Sequence, residues 1–357
     1  MTGDIGLLGG TGQVGAAAAR RIAGAGLGAA VRVGGRDLGR AAAIAAALPG
    51  PASAVRVDLT DDADLAAFCH GCRVVVNCAG PSYRVLDRVA RAAAAAGADY
   101  VDAAGDVPVG QLLAADPPPG MHGWRAVLSA GVSPGLTGLL PRLLTADGPL
   151  RSLDVFAGGP ARSTSVAAVD TLLTRGPEFG LPGAEWRAGQ IHEGALKGLD
   201  AVTLPGFPEP VTARPFLSAE AERLARSADV DRIRAYTVFA GGRIPDLLAS
   251  AWATGRPVED YAAALAAAAD EEVTEHGQWF TLLAAARRPP RSTGPVRVLL
   301  TTPDPSALSG AVVALSVRAV LAGRVSPGVR HAADVLDPHA CLTALRVDPA
   351  ISLLQIV

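Results

Sequence analysis

The feature that most constrains this chain lies near its start. In "LLGGTGQVGAAAARRIAG" (residues 7–24) a glycine-rich turn follows a short apolar run and precedes an alanine-rich one. Gly10, Gly12 and Gly15 make the spacing G-x-G-x-x-G between a predicted strand and a predicted helix, the setting in which free backbone N–H groups at a helix start can face a pyrophosphate. In a chain with 41 glycines the spacing alone is weak; the residues that follow strengthen it. To about residue 135, short β-branched runs alternate with alanine-rich stretches: "IGLL", helix 14–24, "AAVRVGG", helix 37–48, "AVRVDL", helix 61–69, "RVVVNCAG", helix 84–96, "DYVDAAG" and "AVLSAG". This rhythm predicts right-handed βαβ units and a doubly wound parallel sheet, an α/β class.

A glycine turn in that context predicts a dinucleotide-binding Rossmann domain. Gly10 would permit the tight turn, Gly12 the approach of the pyrophosphate, and Gly15 the close packing of helix on strand. Thr11, Gln13 and Val14 complete the expected contacts. An NAD site usually ends its second strand with an acid that holds the ribose; here that place reads "VRVGGRDLGR". Gly34 and Gly35 leave room for a 2′-phosphate, and Arg36 can clamp it, with Arg40 one turn further on. NADP(H) is therefore the expected cofactor, although Asp37 could still turn to a ribose. Asp58 and Leu59, ending the third strand, are expected near the adenine.

After "GVSPG" (131–135) the period changes. Candidate strands at 152–159, 201–206, 233–242, 279–288 and 295–302 predict a second, α+β domain on a mostly antiparallel sheet, with "PPRSTG" closing a hairpin between the last two. The expected division is 1–135 for the nucleotide domain and 136–304 for a substrate and dimerisation domain. Helices within 305–357 are expected to pack back on the first.

Composition narrows the partners. A formal charge of −2 lacks the basic footprint of a nucleic-acid or membrane-surface binder. No apolar run is long enough to span a bilayer, and the start has no signal-peptide pattern, so a soluble cytoplasmic protein acting on a small molecule is expected. A homodimer is expected because symmetric pairs dominate soluble assemblies. Alanine tracts such as 41–48 and 261–269 read as helix filler. "CHGC" (69–72) has neither a second C-x-x-C for zinc nor a following His for haem, and reads as a structural turn with no metal.

At "VVVNCAGPSYRVLDRVARAAAAAGADYVDAAGD" (74–106) the residues become more specific. With "GGTGQVG", "GGR", "NCAGP", "GADYVD" and "GVSPG", this segment resembles the saccharopine dehydrogenase family in its NADP-dependent reductase branch. The likeness covers the first ~135 residues well and the last ~50 loosely. It implies that Asn77, Cys78, Ala79, Gly80 and Pro81 lie beside the nicotinamide. It also implies hydride transfer to or from a carbon–nitrogen bond joining an amine and an oxo-acid.

No universal triad accompanies that chemistry. An imine reacts best when protonated, so candidate proton carriers are Tyr83, Asp106, His192 and Lys197, the last being the only lysine in the chain. Each has a plainer reading: helix packing for Tyr83, capping for Asp106, a solvated surface for His192 and Lys197. A substrate carboxylate would need a guanidinium, for which Arg162 and then Arg175 are candidates. Tyr236 is a further substrate candidate on a strand whose alternation also suits core packing. The residue four before Lys197 is Glu193, so Tyr-x-x-x-Lys chemistry is absent, as is a G-x-S-x-G elbow. Two other readings stay open: an enoyl (C=C) reductase, and a non-catalytic NADP-binding sensor, against which a second domain with its own sheet argues.

Overall fold

The computed structural model describes residues 3–119, 123–289 and 294–357. They form two compact units, Met1–Leu136 with Ser306–Asp337, and Thr137–Pro305 with Pro338–Val357.

The first unit opens with β1 (Asp4–Leu8), α1 (Gln13–Gly24), β2 (Val31–Gly35), α2 (Leu38–Ala46), β3 (Ala52–Arg56) and α3 (Asp62–Cys69). It continues with β4 (Cys72–Asn77), α4 (Ser82–Val85), α5 (Arg88–Ala95), β5 (Asp99–Asp102), α6 (Val107–Ala115) and β6 (Arg125–Leu128). All strands pair in parallel in the order β6-β5-β4-β1-β2-β3, and Gly328–His331 adds a seventh strand beside β6. The order reverses between β1 and β4, which opens a crevice at the carboxyl ends of these two strands. Val74, Val75 and Val76 in succession are wholly buried, as a strand covered on both faces requires.

Local chemistry sets the helix starts. Asp37 accepts the Arg40 N–H at 3.0 Å to cap α2, and Asp61 accepts the Ala63 and Asp64 N–H groups to cap α3. The helix expected over 84–96 is broken at Leu86, whose φ is 51°, into α4 and α5. On α1, Ala16 to Ala19 are buried. Helix Pro305–Leu321 comes so close that a Cβ on Gly310 would lie 2.7 Å from the Ala17 Cβ. The small residues here permit close helix packing. Filler is also too weak a reading for 41–48 and 261–269, where Ala41, Ala45, Ala262, Ala268 and Ala269 are buried.

Among the described residues the second unit holds a ten-stranded mixed sheet, and of its strands only Ser152–Gly158 and Arg232–Phe239 pair in parallel. Phe280–Arg287 and Val296–Thr302 form the expected antiparallel pair, while residues 290–293 of its connection lie outside the described residues. Four strands were not expected: Gly180–Pro182, Glu185–Arg187, Gln190–His192 and Val211–Ser218. The tail also differs from expectation. Residues 328–331 are a strand, and residues 338–357 belong to the second unit, where Leu353–Ile356 pairs with Val298–Thr301. Backbone pairing at two different sheet edges, unreadable from helical spacing, separates the two halves of the tail. Among the described residues no helix is long and apolar enough to cross a membrane, and no group of His, Cys, Asp or Glu could hold a metal ion.

Candidate functional site

The glycine turn has the geometry of an anion cradle. Gly12 caps α1 without a side-chain hydrogen bond, and the first turn carries no acid, so the helix start has no capping side chain or neutralising charge of its own. A Cβ on Gly15 would sit 2.2 Å from the Gly9 carbonyl oxygen. A Cβ on Gly12 would meet only that oxygen, at 3.3 Å, so its outer side faces open space of the kind a pyrophosphate needs. The tight turn itself belongs to Gly9, not Gly10. Gly9 has φ 72°, and a Cβ there would strike Cys78 and Ala79 at 2.5 Å, whereas Gly10 packs against Val33. The working spacing is Gly9-Gly12-Gly15, a regular three-residue repeat in the sequence.

A cavity of about 320 Å³ lies at the end of β2, bounded on one side by Arg36, Asp58 and Leu59 and on the other by Ala79, Gly80 and Pro81. Arg36, Asp58 and Leu59 thus stand together, as the nucleotide reading requires. Asp37 is occupied as the α2 cap, which leaves Arg36 as the charged side chain at the strand end. Arg40 donates from Nη2 to the Thr11 carbonyl at 3.3 Å and braces the cradle. The Asp58 carboxyl accepts from the Thr60 N–H and hydroxyl, and these bonds hold it below the usual carboxylate range. Gly34 lines the same cavity with its backbone, but its missing side chain is on the core side. A Cβ there would meet the Phe68 ring at 2.6 Å within the core, and only Gly35 faces Thr11 of the cradle. Arg84 and Arg88 also line the cavity, and nothing in the motif pattern marked them.

The loop after β4 is held by a buried carboxylate. Asp102 accepts from Asn77 Nδ2 at 3.1 Å, from the Tyr100 hydroxyl, and from the Ala104 N–H at 2.9 Å. Asn77 Oδ1 in turn accepts the Ala79 N–H at 3.1 Å. Burial and the Asp102 charge push the Tyr100 phenol upward, so it stays a donor. The same two causes raise the Cys78 thiol, which makes it a wall and not a nucleophile. The alternation in "DYVD" puts Tyr100 and Asp102 on one face of β5, a signal that could have marked both.

Asp106 is buried after β5, and its side chain does not cap α6; it accepts the Ser129 hydroxyl at 3.1 Å. Tyr83 is half-buried on α4, whose first residue, Ser82, accepts the Gly105 N–H at 3.4 Å. Tyr83 and Asp106 are therefore joined through neighbouring residues at the carboxyl edge of the first sheet.

The candidates in the second unit are scattered. His192 ends an edge strand with Nδ1 3.4 Å from Arg187, and Lys197 is exposed. Arg162 is exposed and paired with Asp270 at 3.3 Å, and Arg175 is exposed after helix Ser165–Leu173. No hydrogen bond or ion pair among the described residues links these four to one another. Tyr236 is corrected to a core residue: it is 8% exposed and stacks on Phe156 at 4.7 Å, and burial raises its phenol. Cys69 and Cys72 are buried free thiols, with Cys69 pushed up to about 12 by burial, in keeping with a structural turn.

Residues 5–116 match the family model for the saccharopine dehydrogenase NADP binding domain. No curated protein matches the sequence significantly. Among solved structures, apo histidine-tagged saccharopine dehydrogenase (L-Glu forming) from Saccharomyces cerevisiae aligns over 99% of this chain and 99% of that one, with 15% identity and a TM-score of 0.67. A myo-inositol dehydrogenase from Corynebacterium glutamicum aligns over 98% of this chain and 100% of that one, with 12% identity and a TM-score of 0.47. Residues 5–116 therefore form an NADP(H)-binding domain similar to that of saccharopine dehydrogenases, and the chain as a whole shares the fold of the yeast enzyme.

Proposed function

We propose that this NADP-dependent oxidoreductase transfers a hydride to or from the carbon–nitrogen bond of an imine, formed between an amine or amino acid and an oxo compound, in a biosynthetic setting. When bound, the cofactor supplies the hydride-carrying nicotinamide. The N–H groups at the start of α1 would bind the pyrophosphate, and Arg36 would orient the 2′-phosphate. Asn77 and Asp102 would keep the loop to Pro81 in one shape against the nicotinamide. The observation that supports the C=N reading is Asp106, a buried carboxyl at the carboxyl edge of the sheet that accepts the Ser129 hydroxyl and would exchange a proton with an imine nitrogen. Tyr83 would line the same edge, and Arg162 or Arg175 would receive a substrate carboxylate.

Calorimetric titration with NADPH and NADH tests the cofactor half. NADPH should bind at least ~10-fold tighter, about 1.4 kcal/mol, and Arg36→Ala should erase that preference. Equal losses for both cofactors in Arg36→Ala would overturn the 2′-phosphate role. The reaction is tested by NADPH consumption with L-glutamate and aliphatic aldehydes. Consumption with a simple enone in place of the amine mixture would overturn the C=N reading.

A further inference from the structure

Three chain segments far apart in sequence meet beside β5. Asp106 follows β5, Ser129 follows β6, and His331 ends the seventh strand, so all three lie at the carboxyl edge of the first sheet. The Ser129 hydroxyl stands between the others, donating to Asp106 Oδ1 at 3.1 Å and lying 3.0 Å from His331 Nδ1. His331 Nδ1 is 3.5 Å from the same Asp106 oxygen. Ser129 is fully buried, Asp106 nearly so, and the His331 side chain is 16% exposed, so the cluster runs inward from its histidine. Ser129 is also one of the few non-glycine residues with positive φ, at 56°. Its backbone is held there by its N–H to the Ala104 carbonyl at 2.8 Å and by the Ala130 N–H to the Asp102 carbonyl at 2.8 Å. Such a conformation persists only where the surroundings over-determine it.

The three residue types are those of a nucleophilic triad, but the polarity is wrong for one. An activated serine gives its proton to the imidazole, and the carboxylate orients that imidazole. Here the serine proton is committed to the carboxylate, and the hydroxyl is closed off from substrate. With its single proton so used, Ser129 can only accept from His331, which places a proton on His331 Nδ1.

We propose that His331, Ser129 and Asp106 form a proton relay that recharges Asp106, with His331 as a positioning residue acting through Ser129. In the step, imidazolium Nδ1–H passes its proton to Ser129 Oγ while Ser129 passes its own to Asp106 Oδ1. The histidine becomes neutral with its proton on Nε2, the serine is regenerated, and the carboxylate becomes a carboxylic acid. Once Asp106 has passed its proton on, the Ser129 hydroxyl turns back to the carboxylate and a proton from solvent is taken up at the bare Nδ1, which restores the imidazolium. The use of that acid on an imine nitrogen rests on the function proposed above; the polarity of the relay does not.

The full chain with 15N-labelled histidines, read by NMR at a pH where the ring is neutral and assigned with His331→Asn, tests the relay without any substrate. His331 should be the Nδ1–H tautomer. Asp106→Ala, which frees the serine proton to turn to the ring, should convert it to Nε2–H. A wild-type Nε2–H tautomer overturns the relay without recourse to any variant, as does a tautomer unmoved by Asp106→Ala. His331→Asn keeps an N–H donor for Ser129 but cannot exchange a proton, whereas His331→Leu removes both. In NADPH consumption with L-glutamate and an aliphatic aldehyde, both variants should lower kcat at least ~10-fold with the calorimetric NADPH Kd unchanged. Full rescue by His331→Asn overturns proton passage. Absence of turnover in the unmodified chain counts against the imine reading alone, because the tautomer still decides the relay.

Discussion

Gly12 and Gly15 sit three residues apart in one turn, and a side chain at each meets different surroundings. Valine at Gly12 would project where only the Gly9 oxygen comes within 4 Å, and φ −82° with ψ 167° suits a β-branched residue. Gly12→Val should therefore unfold within about 0.5 kcal/mol of the parent chain while calorimetry detects no NADPH binding. Gly15→Val would drive its Cβ to 2.2 Å from a backbone oxygen, and should cost about 3 kcal/mol or more in denaturant unfolding. Tight binding by Gly12→Val would overturn the cradle. Asp102 shows a different economy of position. Three donors converge on one buried carboxylate, so the loop that follows Asn77 is shaped by β5 and not by its own residues.

Pairs of elements carry two further expectations. Helix Pro305–Leu321 approaches α1 at Gly310 so closely that Gly310→Val would overlap Ala17 and the Ala18 nitrogen. Thermal and denaturant melts should show a loss of about 1–3 kcal/mol, and an unchanged stability would mean the two helices can part without cost. In the second unit, Glu272 on helix Glu259–His276 is buried, and its Oε1 has no hydrogen-bond partner among the described residues. Burial raises its carboxyl above the ordinary value of 4.5. A raised acid binds its proton more tightly in the folded state. Its contribution is fully present below pH 4.5 and lost as pH rises through the raised value. Glu272→Gln should flatten that part of the stability profile and gain on the parent chain toward neutral pH. Parallel profiles for the two proteins would refute this.

At the level of the molecule, neither unit is made from one continuous segment. The chain leaves the first unit after Leu136, returns to it at Ser306, and leaves again after Asp337. A chain ending at Asp304 keeps every cradle residue but loses the helix over α1 and the strand beside β6. It should aggregate in light scattering and fail to bind NADPH, because β6 becomes an open edge and the alanine face of α1 is uncovered. Stable NADPH binding by that shortened chain would show that the return segment is dispensable.

What could be read from the sequence was what is encoded locally. The alternation of strands and helices to residue 135, the cradle before α1 and the arginine after β2 each lie within a window of a few residues, where period and turn chemistry carry the signal. Which glycine makes the turn was decided by the approach of Cys78 and Ala79, some seventy positions away, and not by the motif spacing. On sequence grounds Asp37 could still turn to a ribose, and only the structure shows it accepting the Arg40 N–H as a helix cap. The three-residue strands of the second unit are too short to show alternation. His331 meets Ser129 across 202 positions only because a late strand pairs with β6. Sequence by itself determined the repeating units and the anion cradle, since these depend on neighbours along the chain. Tertiary structure alone decided the carboxylate network, the relay and the fate of the tail, since these depend on pairings between strands that carry no periodic trace of one another.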